Sequence, residues 1–529
     1  MKKSIALFLI LSFLFGCKKE TKNDYSKQNS SDLFLNEKSV DSFFNDNPKN
    51  KSTQEEVFAF YKKRNFKYAW FNQNKRIQAV AFFNNQLQSY SSDFNDTSFP
   101  TKHIDSLLAI ENPNKKQMEH LELLFTSTYF AYSKKVYGGL TKNPHNLEWF
   151  IPLKKNNYQS LLDSLLIKNK KETYEPVNLY YTKLLEKLKL YRIIQKKGGF
   201  PSIKTDKKLL SINDSDSCIV NVKQRLFLSG DLKQNDNSIL FTSDLQQAVT
   251  HYQQRLGLPE NGAINSKTLI ELNKTVDYRI KQMIINLERL RWVPIEIEKD
   301  YILVNIPEYK LHVFENKKLI WEANVVVGKE AKQTNIFKGS ISQVVFNPYW
   351  NIPKSIINKE ILPHLKRDRS YLVKNNMEVM SGKTVIDVSE INWNKYATSI
   401  PFDIRQKPGT ENSLGRMKFL FPNSYSIYLH DTPSKELFNQ NKRDFSHGCI
   451  RVENPKKLAM YLLKKNKSWN EVKMDSILKT ITETKISVQP TIPVYITYFT
   501  AWVDSKGNLN FRNDIYDLDK ELAKEIFSD

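Results

Sequence analysis

The sequence predicts an α+β protein built as separate domains, helical in its first half and strand-rich in its second. Three observations carry this expectation. Across residues 52–200 apolar side chains recur at three- and four-residue spacing, as in "VNLYYTKLLEKLKLYRIIQKKGGF", which runs until Gly198 and Gly199 stop it. Beyond Pro294 the period shortens to two, and "YILVNIPEYKLHVFENKKLIWEANVVVG" reads as strands with a hairpin at "ENKK". The length of 529 residues, at roughly 150 per domain, suggests three or four domains, and 12% aromatic content argues for packed cores.

The chain opens with "MKKSIALFLILSFLFGC", two lysines followed by an apolar run from Ile5 to Phe15. That run falls short of the roughly 20 residues that cross a bilayer, so residues 1–17 read as a secretory signal. Its ending resembles a bacterial lipobox, which implies that Cys17 becomes a lipidated first residue and ties the protein to a membrane. By analogy that membrane is the outer one, on its periplasmic face. Residues 18–45 are polar and read as a tether. Residues 46–205 read as a helical scaffold domain, in which Thr53 takes a capping position with Glu56 three residues later. The histidines there, His103, His120 and His145, are scattered and suggest no chemistry.

Residues 209–275 form a separate small unit. Leu245, Ala248, Tyr252 and Leu256 share one helical face, Gly257 ends the helix, and Asn265 or Ser266 caps the next. The stretch is either a plain helical hairpin or, by its pattern, similar to the peptidoglycan-binding module of bacterial wall enzymes. Residues 295–485 are expected to form one strand-rich domain, with 365–396 as a candidate flap and 486–529 as an extension packing on it.

The net charge of +23 is spread along the chain with no block of six like charges, so a nucleic-acid partner is not expected. An anionic polymer or membrane surface is compatible with it. There are three cysteines; with Cys17 lipidated, the remaining pair is Cys218 and Cys449. Joining them would consume a candidate nucleophile, so no structural disulfide is expected and Cys218 is expected to be inert.

That candidate lies in "RDFSHGCIRVE", residues 443–453. Cys449 is either a small buried hydrophobe or a nucleophile that an imidazole can activate. Two histidines compete for that role. His447 lies two residues away and faces the same side of an extended strand; His430 ends "SIYLH", where Ser426, Tyr428 and His430 alternate onto one face. Gly448 allows unusual backbone angles, so the amides beside it could meet a developing oxyanion. Arg451 either holds a substrate carboxylate or is a solvated charge. No cofactor motif occurs, and no metal-ligand cluster is convincing.

The stretch "HDTPSKELFNQNKRDFSHGCIRV" resembles the active-site signature of the L,D-transpeptidases, the YkuD-type catalytic domain: His430, fifteen residues, then Ser446, His447, Gly448, Cys449, Ile450 and Arg451. The blocks at 347–363, 404–419 and 493–519 are similar to the larger YcbB-like branch. The resemblance implies Cys449 as nucleophile and His430, rather than His447, as proton donor and acceptor, its ring oriented by the backbone carbonyl of Asp431. It further implies that His447 and Gly448 shape the oxyanion site and that Arg451, Ser446 and Tyr428 contact the substrate. The expected activity is 3→3 cross-linking of peptidoglycan stem peptides through a cysteine thioester, with no cofactor. The alternatives are an L,D-carboxypeptidase or hydrolase of the same stems, and a non-catalytic wall-binding lipoprotein.

Overall fold

The computed structural model describes residues 33–527 apart from 74, 140–143, 154–155, 168–175 and 390. The expected signal segment with Cys17 lies outside the described residues, as does the expected tether up to residue 32. The chain divides into two compact units, Met1–Ser133 with Asn157–Tyr174, and Lys134–Asn156 with Glu175–Asp529.

The first unit is helical: α1 (Glu37–Asp46), α2 (Gln54–Lys63), α3 (Gln78–Phe94), α4 (Thr101–Leu108), α5 (Lys115–Ser133) and α6 (Tyr158–Ile167). Its many aromatics fill the core around α5, where the rings of Trp70, Phe83, Phe125 and Tyr129 stand 5.1–6.5 Å apart in stacked, tilted and edge-on pairs. The polar stretch read as a tether already contains α1, whose Val40, Phe43 and Phe44 are buried. Thr53 stands at the start of α2 without capping it. Its hydroxyl turns inward, to the Asn50 carbonyl at 2.9 Å and to Ser127 Oγ at 2.7 Å, because burial favours a partner inside the core. His103 and His120 are not scattered; their Nε2 atoms face each other at 3.3 Å.

Glu122 on α5 is fully buried and accepts from the Trp70 N–H at 3.0 Å, the Tyr61 hydroxyl at 2.8 Å and the Ala69 N–H. Burial pushes its carboxyl from an ordinary 4.5 up to about 7, against the pull of those hydrogen bonds. Between these values the folded chain holds a proton that the unfolded chain has lost. Stability is therefore expected to fall by about 3 kcal/mol as pH rises through that window and then to level off. Glu122→Gln should remove the slope, as read from guanidinium unfolding followed by tryptophan fluorescence.

The second unit begins with 134–156 and α7 (Leu179–Lys196), which packs along α11 (Val276–Trp292). Between them lie α8 (Cys218–Leu228), α9 (Ser243–Leu256) and α10 (Ser266–Leu272). Leu245, Ala248, Tyr252 and Leu256 are all buried, α9 ends at Gly257, and the Asn265 side chain caps α10 by accepting from the Thr268 N–H at 3.0 Å. Cys218 is buried at the start of α8, and burial together with Asp216 pushes its thiol up to about 11, which keeps it protonated and unreactive.

The strands are β1 (Tyr301–Asn305), β2 (Lys310–Glu315), β3 (Lys318–Gly328), β4 (Ile336–Phe346), β5 (Met417–Leu420), β6 (Leu429–His430), β7 (Asp444–Ser446), β8 (Ile450–Val452), β9 (Thr484–Thr497), β10 (Ala501–Val503) and β11 (Leu509–Phe511). Eight of them pair in the order β5-β6-β8-β3-β2-β1-β9-β4, and β4 pairs back onto β5, so these eight close into a ring, with the short strand Trp149–Phe150 added alongside the start of β4. The hairpin between β2 and β3 turns on Asn316 and Lys317, both at positive φ, the two-residue turn that matches strand twist. β9 lies between β1 and β4, parallel to the first and antiparallel to the second. The tail expected to pack on the barrel thus begins as one of its strands. It continues through the β10–β11 hairpin into α12 (Leu518–Ile526), which packs on α11 through Arg289 and Asp519.

The expected flap, 365–396, is the middle of a larger body with its own core. Trp350–Asn351, Asp403–Gln406, Met377–Ser381 and Thr384–Ile386 form a four-stranded sheet, packed on Ile357, Leu362, Leu365, Leu372 and Trp393. The same core draws Ile352, Ile357, Ile361 and Leu362 from before 365–396 and Ile400 and Ile404 from after it, so composition alone drew the boundary too narrowly.

Candidate active site

The site is built on β5, β6 and β8, neighbours in the ring. Lys418 stands opposite His430 across the antiparallel β5–β6 pair, and His430 opposite Arg451 across the parallel β6–β8 pair. The Ile450 N–H donates to the Tyr428 carbonyl at 3.1 Å, which extends the β6–β8 pairing by one residue toward Cys449. Side chains alternate along a strand, so Phe419, Leu429 and Ile450 turn into the buried core. The other face presents Lys418, Tyr428, His430, Cys449 and Arg451. Cys449 lies beside Tyr428 and diagonal to His430.

His430 is buried, with Nδ1 2.5 Å from the Asp431 carbonyl oxygen. A carbonyl only accepts, so Nδ1 carries the proton and Nε2 keeps the lone pair. Burial, reinforced by the Arg451 charge, pushes the imidazole down to about 3. Cys449 is half-buried and its S–H donates to the Ser426 carbonyl at 3.6 Å. Burial pushes its thiol up, against hydrogen bonds from Tyr428 and the charges of Lys418 and Arg451. The resting pair is therefore a neutral thiol and a neutral imidazole. An attack by such a thiol would have to pass its proton on as the bond forms.

The remaining residues singled out in the sequence fall into different places. Ser446 does not face a ligand. Its hydroxyl is buried, donates to the Cys449 carbonyl at 2.5 Å and accepts from the Gly448 N–H at 3.1 Å, so it staples the loop that carries the thiol. Ser426 does not extend the strand face, because it sits in a turn at φ +57 and β6 is only two residues long. His447 points away along the surface, its Nε2 2.8 Å from Glu360 in the inserted body. Gly448 takes φ +116, a backbone geometry that a side chain would strain. Arg451 carries a buried Nε with no hydrogen-bond partner among the described residues.

Sequence reasoning missed Lys418. Its Nζ lies 3.8 Å from the Tyr428 ring centroid, and burial pushes its ammonium down. The signal was present in "RMKFLF", where alternation puts Lys418 on the face opposite Met417 and Phe419. Missing was the knowledge that β5 pairs with β6. Among the described residues no group of three ligating side chains could hold a metal ion.

A half-buried cysteine, a buried imidazole held by a backbone carbonyl, and two cations share one face of a closed barrel, an arrangement whose groups are those that thiol acyl transfer requires. Comparison with known proteins finds matches over parts of the chain. Residues 299–481 match the L,D-transpeptidase catalytic domain family, and residues 55–188 match a family described as a scaffold domain. The match to the L,D-transpeptidase catalytic domain family thus follows the helical region in the chain. The Haemophilus influenzae protein named "Putative L,D-transpeptidase" is 36% identical over 246 residues, 46% of this chain and 49% of that relative. The chain spans about half the length of that curated relative. Among solved structures, an L,D-transpeptidase from Xylanimonas cellulosilytica is similar at 13% identity and TM-score 0.19, covering 56% of this chain and all of that one. One from Mycobacterium smegmatis is similar at 10% identity and TM-score 0.20, covering 38% and 58%.

Proposed function

We propose that the protein is an L,D-transpeptidase that forms 3→3 cross-links between peptidoglycan stem peptides, through a thioester on Cys449. The observation that carries this reading is the placement of Cys449 diagonal to the carbonyl-held His430, within a match to the catalytic domain family.

In the proposed reaction Cys449 Sγ attacks the carbonyl of the third stem residue as its proton passes to His430 Nε2. The S–C bond forms, the C–N bond to the terminal D-alanine breaks, and His430 returns the proton to the departing amine. The acceptor amine of a second stem then loses a proton to His430 and attacks the thioester. A new C–N bond replaces S–C, and the proton ends on the thiol. Asp431 holds the imidazole in one tautomer throughout. Arg451, whose buried Nε has no partner among the described residues, and Lys418, whose Nζ lies over the Tyr428 ring, suit the carboxylates of the donor stem. Tyr428 lines the thiol, and His447 lies at the surface against Glu360.

In the same reading Cys17 anchors the chain by lipid to a membrane facing the wall, outer-membrane periplasmic by analogy. Residues 209–275 bind peptidoglycan, and the chain sits in the YcbB-like branch. The reaction needs no cofactor. The test is the product mixture when the purified chain receives a disaccharide tetrapeptide: D-alanine release with 3→3 dimers is expected. Tripeptide alone, with no dimer, would overturn cross-linking in favour of hydrolysis.

A further inference from the structure

Gly448 precedes the thiol-bearing residue, and its carbonyl oxygen accepts from the Thr334 hydroxyl at 2.8 Å. That hydroxyl has one proton to give, and it accepts in turn from the Gly328 N–H at 2.9 Å. The Thr334 N–H donates to the Tyr516 hydroxyl at 3.3 Å, and Tyr516 donates onward to the Gly328 carbonyl at 2.5 Å. The Tyr516 N–H then donates to Tyr498 Oη at 2.9 Å, and Tyr498 to Asp514 at 2.6 Å. Thr334, Tyr498 and Tyr516 are all buried. Gly328 closes the strap that bears Thr334, and a Cβ there would stand 2.1 Å from the Lys332 carbonyl oxygen, so the strap approaches only because that side chain is missing.

The relay fixes a peptide plane. A trans peptide points its C=O and its following N–H in opposite directions. With the Gly448 oxygen held by Thr334, the Cys449 N–H must point away from Thr334. Among the described residues that N–H meets no acceptor, whereas the Gly448 N–H is taken by Ser446. An N–H aimed and left unpaired beside a nucleophile is a donor for a tetrahedral oxyanion.

We propose that Thr334 and Tyr516 are positioning residues that aim the Cys449 N–H at the oxyanion, so that the C-terminal tail sets the catalytic geometry. The proposal rests on acyl transfer at Cys449, and its test does not depend on which acyl donor is natural. The probes are p-nitrophenyl acetate, whose carbonyl passes through a tetrahedral oxyanion, and iodoacetamide, which alkylates the thiol without one. Modification of Cys449 in the full chain is followed by peptide mass. In Thr334→Val and Tyr516→Phe, acylation is expected to fall about tenfold or more while alkylation stays within about twofold of wild type. Thr334→Ser keeps the hydroxyl and is expected to restore acylation. Equal loss of both rates, or no loss of either, would overturn the proposal. Failure of wild type to act on the tetrapeptide would overturn the proposed substrate and leave this comparison standing.

Discussion

Cys449→Ala is expected to abolish both the covalent acyl adduct on the protein and 3→3 dimers in a strain with no other such enzyme. The size of the effect follows from chemistry: among the described residues no other thiol stands on that face. Cys218 is buried on α8, and its thiol is pushed up to about 11 by burial and Asp216. Ser446 is engaged at both ends by its own loop. The fold should tolerate the change, since the Cys449 side chain is only half-buried and its one contact through S–H is a long bond to a turn carbonyl. Muropeptide analysis of cells carrying the variant checks this. Dimers as abundant as in wild type would dismiss Cys449 as the source of cross-links.

His430→Ala is expected to slow acylation by about 10²–10⁴-fold, whereas His447→Ala should leave most of the rate intact. The contrast rests on placement: His430 is buried beside the thiol with its tautomer fixed, and His447 is half-exposed and turned to Glu360. The pH profile adds a second readout. Because burial holds the His430 imidazole near 3, it remains an uncharged base across the pH range where an ordinary histidine titrates. The acylation rate should show no acid limb near 6.5, the ordinary histidine value, and the thiol's raised value places the rise on the alkaline side. A bell centred near that value, lost in His447→Ala, would transfer the role to His447.

The strongly periodic parts were the most legible. α9 with its four buried residues, its end at Gly257 and the Asn265 cap followed from spacing and turn chemistry, because these are local rules. The β2–β3 hairpin was legible for the same reason. Thr53 misled because a capping hydroxyl and a core hydroxyl look alike in sequence; only the arrival of Ser127 from α5 distinguishes them. Ring closure, the position of β9 and the inserted core depend on pairings across tens to hundreds of residues, which carry no local mark. In the site, the residues on one short motif were visible together. Lys418, Thr334 and Tyr516 were not, since each reaches Cys449 or its loop from a different strand or from the tail.

The position of β9 also sets an order of assembly. Residues 484–497 fill the slot between β1 and β4, and Tyr516, further on, braces the loop that carries the thiol. A nascent or clipped chain that stops before them already contains Cys449 and His430, yet has an open barrel and an unsupported loop. Closure of the barrel, and with it support of the loop that carries Cys449, therefore waits for residues 484–516.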